Sequence, residues 1–239
     1  MMAALQAAWH GAEVRLFERN AAVGRKLLVT GSGHCNLTND GVTAERYACA
    51  DSAWMEALLK GFGVPDLLSM LTSIGVPAWK TSDGWYYPLS NSAQSVVEAF
   101  ASALQQAGVI INNQAQVSSL RSSGKGLRVR WLREDREQEE SFDRVILAAG
   151  GKAYPSLGSR GELFLVLESL GHTVLPKRPA LAPVLAELGN WRSLQGMRLD
   201  VGTTLWDGPH KLGTSQGNLI FTEWGLNGPA VMDLSHLVS

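Results

Sequence analysis

The chain has 239 residues and a net charge of −1, with 45% hydrophobic and 18% charged residues. That is enough to bury a substantial core in one large domain or two small ones, and it carries no disordered signature. No basic stripe asks for a nucleic-acid partner, no apolar run reaches the roughly 18 residues of a membrane helix, and no secretory pattern opens the chain, so a cytoplasmic protein is expected.

Residues Met1 to His10 are nearly all good helix formers, and Gly11 follows as a stop. Ala12 to Glu18 alternates apolar Val14 and Leu16 with polar Glu13 and Arg15, which predicts a strand ending in an acid. Helix, glycine, strand and acid form the second half of a βαβ nucleotide unit, in which the acid accepts hydrogen bonds from ribose hydroxyls. The first half would be a strand and a GxGxxG turn that holds a pyrophosphate. Neither precedes Met1, so the first strand is expected to be lacking. Alone, a strand ending in Glu is more often an ordinary surface carboxylate.

Gly24 to Asn39 (GRKLLVTGSGHCNLTN) strengthens the nucleotide reading. Arg25 and Lys26 offer two cations beside a flexible glycine, suited to a diphosphate or an anionic ring. Gly31 and Gly33 allow a flat ligand to approach the backbone. His34, Cys35, Asn36, Thr38 and Asn39 add donors and acceptors. Cys35 and Cys49 stand in no CxxC or Cys/His spacing, so neither a zinc motif nor a disulfide framework is indicated.

Further along, Trp54, Leu58 and Leu59 are read as helical packing residues. Ser92 to Ala107 places Val96, Val97, Phe100 and Leu104 on one helical face after an Asn91/Ser92 cap. Alternating strands are predicted at Gln114 to Leu120 and Leu127 to Leu132, with the charged run Arg133 to Glu140 as a solvated hairpin tip. Arg144 to Ala148 reads as a buried parallel strand emptying into Gly150-Gly151. Beyond His172, itself expected as a cap or core residue, the pattern turns to strands at Arg198 to Leu205 and Asn218 to Phe221.

The string from Glu18-Arg19-Asn20 through Gly24-Arg25-Lys26 to Gly31-Ser32-Gly33-His34-Cys35-Asn36 resembles the signature of a bacterial FAD-dependent flavoprotein family. Its members are described as aminoacetone-oxidase-like or dehydro-bile-acid-reductase-like. Ser32 and His34 stand where the family pattern has glycine and arginine. Tyr87-Pro88 with Ser90 and Ala93, Val145 to Gly151 running into Pro155 and Gly158-Ser159, Leu170-Gly171-His172 with Pro179 to Pro183, and Phe221-Thr222 with Gly225 to Ala230 resemble further family segments in the same order. The family continues beyond residue 239 to a glycine-rich segment over the flavin, so the chain is expected to be truncated at both ends.

The resemblance implies an α/β fold: an FAD-binding Rossmann-type, two-dinucleotide-binding-domain flavoprotein without its first strand, over 1–174. A helical insertion is expected at about 51–108, and a β-rich inserted second domain opens at 175–239. It implies an FAD-dependent oxidoreductase passing a hydride between flavin and a small-molecule substrate, with NAD(P)H as electron donor. The expected cofactor-binding residues are Glu18 on the ribose, Arg25 and Lys26 near the phosphates or flavin edge, and Gly31, Gly33, Asn36, Ala149, Gly150 and Gly151 along the isoalloxazine or its linker. The backbone near Val117 would meet the adenine. No metal site and no catalytic acid or base can be named. Two alternatives stand beside this reading: a catalytically inactive fragment, expected to purify colourless, and a nucleotide-binding module without flavin chemistry.

Overall fold

The computed structural model describes residues 1–238. The Ala-rich opening forms helix α1 (Met2–Trp9), closed where the Gly11 amide returns to the Ala8 carbonyl, and the chain enters strand β1 (Arg15–Phe17). Strand β2 (Thr38–Asn39), helices α2 (Ser52–Gly61) and α3 (Val64–Ser73), strands β3 (Ala78–Lys80) and β4 (Trp85–Pro88) and helix α4 (Ala93–Gln106) follow before β5 (Ile110–Asn112). β5 pairs in parallel with β1, Arg15 opposite Ile110 and Phe17 opposite Asn112. A parallel pair requires a crossover, and α4 leads directly into its second strand.

The apolar face of α4 is where the sequence put it. Ala93, Val96, Val97, Phe100 and Leu104 are buried, and all but Val97 share one core with Leu5 of α1, Cys35, Met70, Leu71 and Val76. Each large side chain buried this way stabilises the fold by about 1.5–3 kcal/mol. Ser92 occupies the N-cap position, but its side chain makes no capping bond. Helix α2 departs from expectation. It has no buried residue, and Trp54 and Leu58 are 55% and 49% exposed, so these residues lie on an outward apolar face.

Strands β2, β4 and β3 form a small antiparallel sheet in that order. Leu37 donates to the Tyr86 carbonyl at 2.8 Å, and Thr38 lies opposite Tyr86 in the register. The glycine-rich segment is thereby pinned beside Tyr87-Pro88, which places two of the family-like motifs side by side.

The meander continues with β6 (Gln116–Ser123), β7 (Gly126–Arg133) and β8 (Arg136–Phe142). The charged run is therefore a third strand, and only Glu134 and Asp135 form the turn, both at positive φ. Its charges are paired across the sheet: Arg130 binds Glu139 at 3.0 Å and Glu137 at 3.4 Å, and Glu140 reaches Arg15 of β1 at 2.6 Å. Cross-strand charge pairing lets a sequence with little apolar content hold a strand at a sheet edge.

Arg144 to Ala148, expected as a buried parallel strand, pairs with no strand among the described residues. Val145 and Leu147 pack into the second core with Leu120, Val129, Trp131 and Val166, whereas Ile146 between them is 66% exposed. The segment is anchored through alternate side chains only. Helix α5 (Leu163–Ser169) adds Val166 to that core and stops at Leu170-Gly171-His172, where the His172 amide returns to the Leu167 carbonyl. That family-like motif is a helix stop, and His172 is exposed, not a core residue.

The chain divides into two compact units, Met1–Thr173 and Val174 onward. In the second, β9 (Val184–Leu185), β10 (Arg198–Asp207), β11 (His210–Thr222) and β12 (Gly225–Asn227) make one antiparallel sheet in the order β10-β11-β12-β9, followed by helix α6 (Pro229–Met232). Leu219, Phe221, Ala230 and Val231 form its core. A Cβ at Gly225 would sit 2.2 Å from the Val184 carbonyl, and one at Gly228 2.3 Å from that of Asn218. The glycines of the Phe221–Ala230 motif thus permit close backbone packing.

Candidate nucleotide site

Parallel strands present their carboxyl ends to ligands, and at that end of β1 the chain builds a polar network from two distant segments. Glu18 follows β1 directly; its amide donates to the Asn112 carbonyl at 2.9 Å, which holds the acid at the strand end. Asn20 donates to Glu18 Oε1 from both its backbone amide (2.8 Å) and Nδ2 (2.7 Å). Arg25 Nη1 donates to Asn20 Oδ1 at 2.9 Å, so Glu18, Asn20 and Arg25 are linked in series.

The second segment is 150–162. Asn20 Nδ2 donates to the Leu157 carbonyl at 3.2 Å, and Arg19 Nη1 donates to the Gly158 carbonyl at 3.2 Å and to Glu162 Oε1 at 2.7 Å. Arg19 holds the Glu162 carboxyl below its usual range. Lys26 Nζ donates to Ser159 Oγ at 3.2 Å. A Cβ at Gly150 would lie 3.3 Å from Ser159 Oγ and 3.7 Å from Lys26 Nζ. The fold therefore brings Glu18, Arg25, Lys26 and Gly150 into one network of contacts, with Gly151 and Ala149 as chain neighbours.

Gly31, Gly33 and Asn36 lie on the loop that continues from Lys26. Leu27–Gly33 is a 3-10 stretch interrupted at Thr30, Gly31 and Ser32, and the backbone recloses through the Cys35 amide to the Thr30 carbonyl. A Cβ on Gly31 would approach the Asn36 amide at 3.0 Å and Tyr87 at 3.5 Å, so this turn backs onto β4. The space beside Gly33 and Gly151 is open. His34 Nδ1 lies 3.2 Å from the Asn91 carbonyl and is committed to the β4–α4 connection. Cys35 is fully buried in the first core, and burial pushes its thiol up from 9.0, the reverse of what a reactive thiolate beside a flavin would need.

Val117 stands opposite Trp131 in the β6–β7 ladder, and its side chain packs against the second core. A register shift follows it at Ser118. Trp131 Nε1, Asn112 Nδ2 and Asn113 Oδ1 are buried without hydrogen-bond partners among the described residues; the two asparagines lie at the carboxyl end of β5, beside Glu18.

Sequence reasoning did not single out Asn20, Arg19, Ser159 and Glu162. Arg19, Asn20 and Ser159 do fall inside the quoted family-like strings, but nothing local says that residues 133 positions apart, Lys26 and Ser159, will meet. Among the described residues, no group of three His, Cys, Asp or Glu could hold a metal ion, and no helix is long and apolar enough to cross a membrane.

Comparison with known proteins identifies a family. Residues 1–226 match the family model described as the HI0933-like protein Rossmann domain. The 3-dehydro-bile acid delta(4,6)-reductase of Clostridium scindens is 34% identical over 228 residues, covering 95% of this chain and 54% of that protein. The ribosomal RNA dihydrouridine synthase of Haemophilus influenzae is 27% identical over 238 residues, 99% of this chain and 58% of that one. The chain thus spans about half the length of the curated relatives it matches. The solved structure of Thermovibrio ammonificans THI4 superposes with a TM-score of 0.49 at 14% identity, covering 81% of this chain and 66% of that one.

Proposed function

Because the chain belongs to the HI0933-like Rossmann-domain family, we propose that it forms the nucleotide-binding part of an FAD-dependent oxidoreductase acting on a small organic molecule, with NAD(P)H as electron donor. The family is one of FAD-dependent oxidoreductases. The observation that carries the reading is Lys26, a half-buried cation in no ion pair among the described residues, held by a serine hydroxyl beside the Gly150 turn. An ammonium outside any ion pair can take up an anion through charge-assisted hydrogen bonds.

The residues present suit a flavin dinucleotide. Glu18, with one oxygen held by Asn20, would take ribose hydroxyls; Arg25 and Lys26 would meet the diphosphate; Gly31, Gly33, Asn36, Ala149, Gly150 and Gly151 would accept the flat ring or its linker; and the backbone at Val117 would border the adenine. When bound, FAD supplies the hydride chemistry. The chain's residues bind it, orient it and exclude water. A small-molecule substrate is favoured over RNA because the relative with the higher identity is named for a bile-acid reduction, and because the net charge of −1 supplies no electrostatic footprint for phosphate backbones.

The experiment is to denature the purified native protein and identify released flavin, then to follow NAD(P)H oxidation with a 3-dehydro-bile acid and, separately, with ribosomal RNA. Released FAD and turnover of the small molecule are expected. Nucleotide binding without any flavin would make the chain a regulatory module instead, and turnover of RNA alone would overturn the substrate class.

A further inference from the structure

Lys26 and Ser159 offer more than a general nucleotide signal. Ser159 is 8% exposed, one of the few buried polar residues of the chain, and its hydroxyl faces the ammonium of Lys26 and the Cα of Gly150 together. Its position is not left to the loop alone. Asn20 holds the Leu157 carbonyl, Arg19 holds the Gly158 carbonyl, and the Arg19–Glu162 ion pair closes the segment from the other side. Gly158 adopts φ +101°, and a Cβ there would meet Asn20 Nδ2 at 2.9 Å, so this left-handed turn favours glycine and leaves room for the Asn20 side chain. Four side-chain contacts thus clasp residues 157–162 to residues 19–26, and the outcome at their centre is one hydroxyl fixed against one ammonium.

The direction of charge decides what this arrangement suits. Apart from Ser159, Lys26 has no hydrogen-bond partner among the described residues, and it is in no ion pair among them. Glu18 and Glu162, the acids of this network, are committed to Asn20 and Arg19. An ammonium can donate three hydrogen bonds, and a serine hydroxyl that accepts one can still donate its own proton. The pair therefore presents donors to a common point beside the Gly150 turn.

We propose that Lys26 and Ser159 form a seat for a phosphate oxygen, with Lys26 supplying the charge and Ser159 acting as a positioning residue that aims it. This rests on the nucleotide reading of the site and deepens it: it assigns a positioning role to Ser159, which that reading leaves without one. The clasp fastens the two segments together through the chain's own side chains. A preorganised donor pair loses less freedom on binding than a free lysine.

The test is binding of ADP and of FAD to the purified protein by calorimetry, across ionic strength, for the wild type, Ser159→Ala, Ser159→Thr and Lys26→Gln. Ser159→Ala should weaken both ligands by about tenfold, Ser159→Thr should restore most of that loss, and Lys26→Gln should weaken both further and flatten the salt dependence. Melting temperatures of the unliganded variants should match the wild type, which separates loss of the seat from loss of the fold. Unchanged ADP affinity in Ser159→Ala would overturn the proposal, as would a loss confined to FAD, which would put the pair at the flavin, or a wild type that binds neither ligand. ADP binding that depends on Ser159 in a protein that never retains flavin would leave the seat standing and remove the flavin reading.

Discussion

Asn20 binds one oxygen of Glu18 twice, from its amide at 2.8 Å and from Nδ2 at 2.7 Å. The acid that ends β1 is therefore fixed by a residue two positions later, with Oε1 claimed and the carboxylate aimed by its neighbour. The same side chain accepts from Arg25 and donates to Leu157, so it joins both halves of the site.

Replacing Asn20 with alanine keeps the backbone bond to Glu18 but removes the other three contacts. The part-buried Nδ2 bond that fixes Glu18 contributes about 0.5–1.5 kcal/mol, so adenine-nucleotide affinity should fall by about two- to thirteenfold. Calorimetry with ADP checks this. Unchanged affinity would mean that Glu18 needs no fixing, and the ribose role would lose its support.

Gly24 opens the cationic segment at φ +82°, and a Cβ there would lie 2.8 Å from both methyls of Val97 on α4. Gly24→Ala combines backbone strain with overpacking, and each of these costs about 1–3 kcal/mol. Urea denaturation should show a loss of about 2–6 kcal/mol, and Val97→Ala in the same chain should recover part of it. A neutral Gly24→Ala would place this glycine's importance in ligand approach alone.

The two thiols should behave differently. Cys35 is fully buried with a raised thiol pKa, whereas Cys49 is half-buried and its thiol donates to the Asp51 carbonyl. At pH 8 a thiol reagent should titrate Cys49 in the native protein and Cys35 only after denaturation. The sign for stability follows: the native state holds the Cys35 proton more tightly than the unfolded chain does. Stability should therefore be intact below about pH 9 and decline as pH rises from there toward the raised value. Rapid native labelling of Cys35 would show that the core around it opens.

Glu140 of β8 reaches Arg15 of β1 at 2.6 Å, with side chains 39% and 32% exposed. Solvent screening limits such a pair, so Glu140→Gln should cost less than about 1 kcal/mol, and the loss should shrink at high salt. A larger, salt-independent loss in thermal denaturation would indicate that this bond, more than core packing, ties the meander to β1.

What was legible in the sequence was local. Alternation before Glu18 gave β1, the spacing of Val96, Val97, Phe100 and Leu104 gave the buried face of α4, and glycines 31, 33 and 150 marked the turns, because each of these patterns is written within a few residues. The fold class followed from ordered motifs spread along the chain. The tertiary structure decided what depends on partners far away. It turned the charged run into β8, because Arg128 and Arg130 on β7 and Arg15 on β1 stand ready to neutralise it. It left Arg144 to Ala148 unpaired, since an apolar run specifies burial of alternate side chains but does not supply a neighbouring strand. It buried Cys35, and it set Ser159 against Lys26. No periodicity encodes a meeting between residues 133 positions apart; only closure of the chain around two cores brings that hydroxyl and that ammonium to the same place.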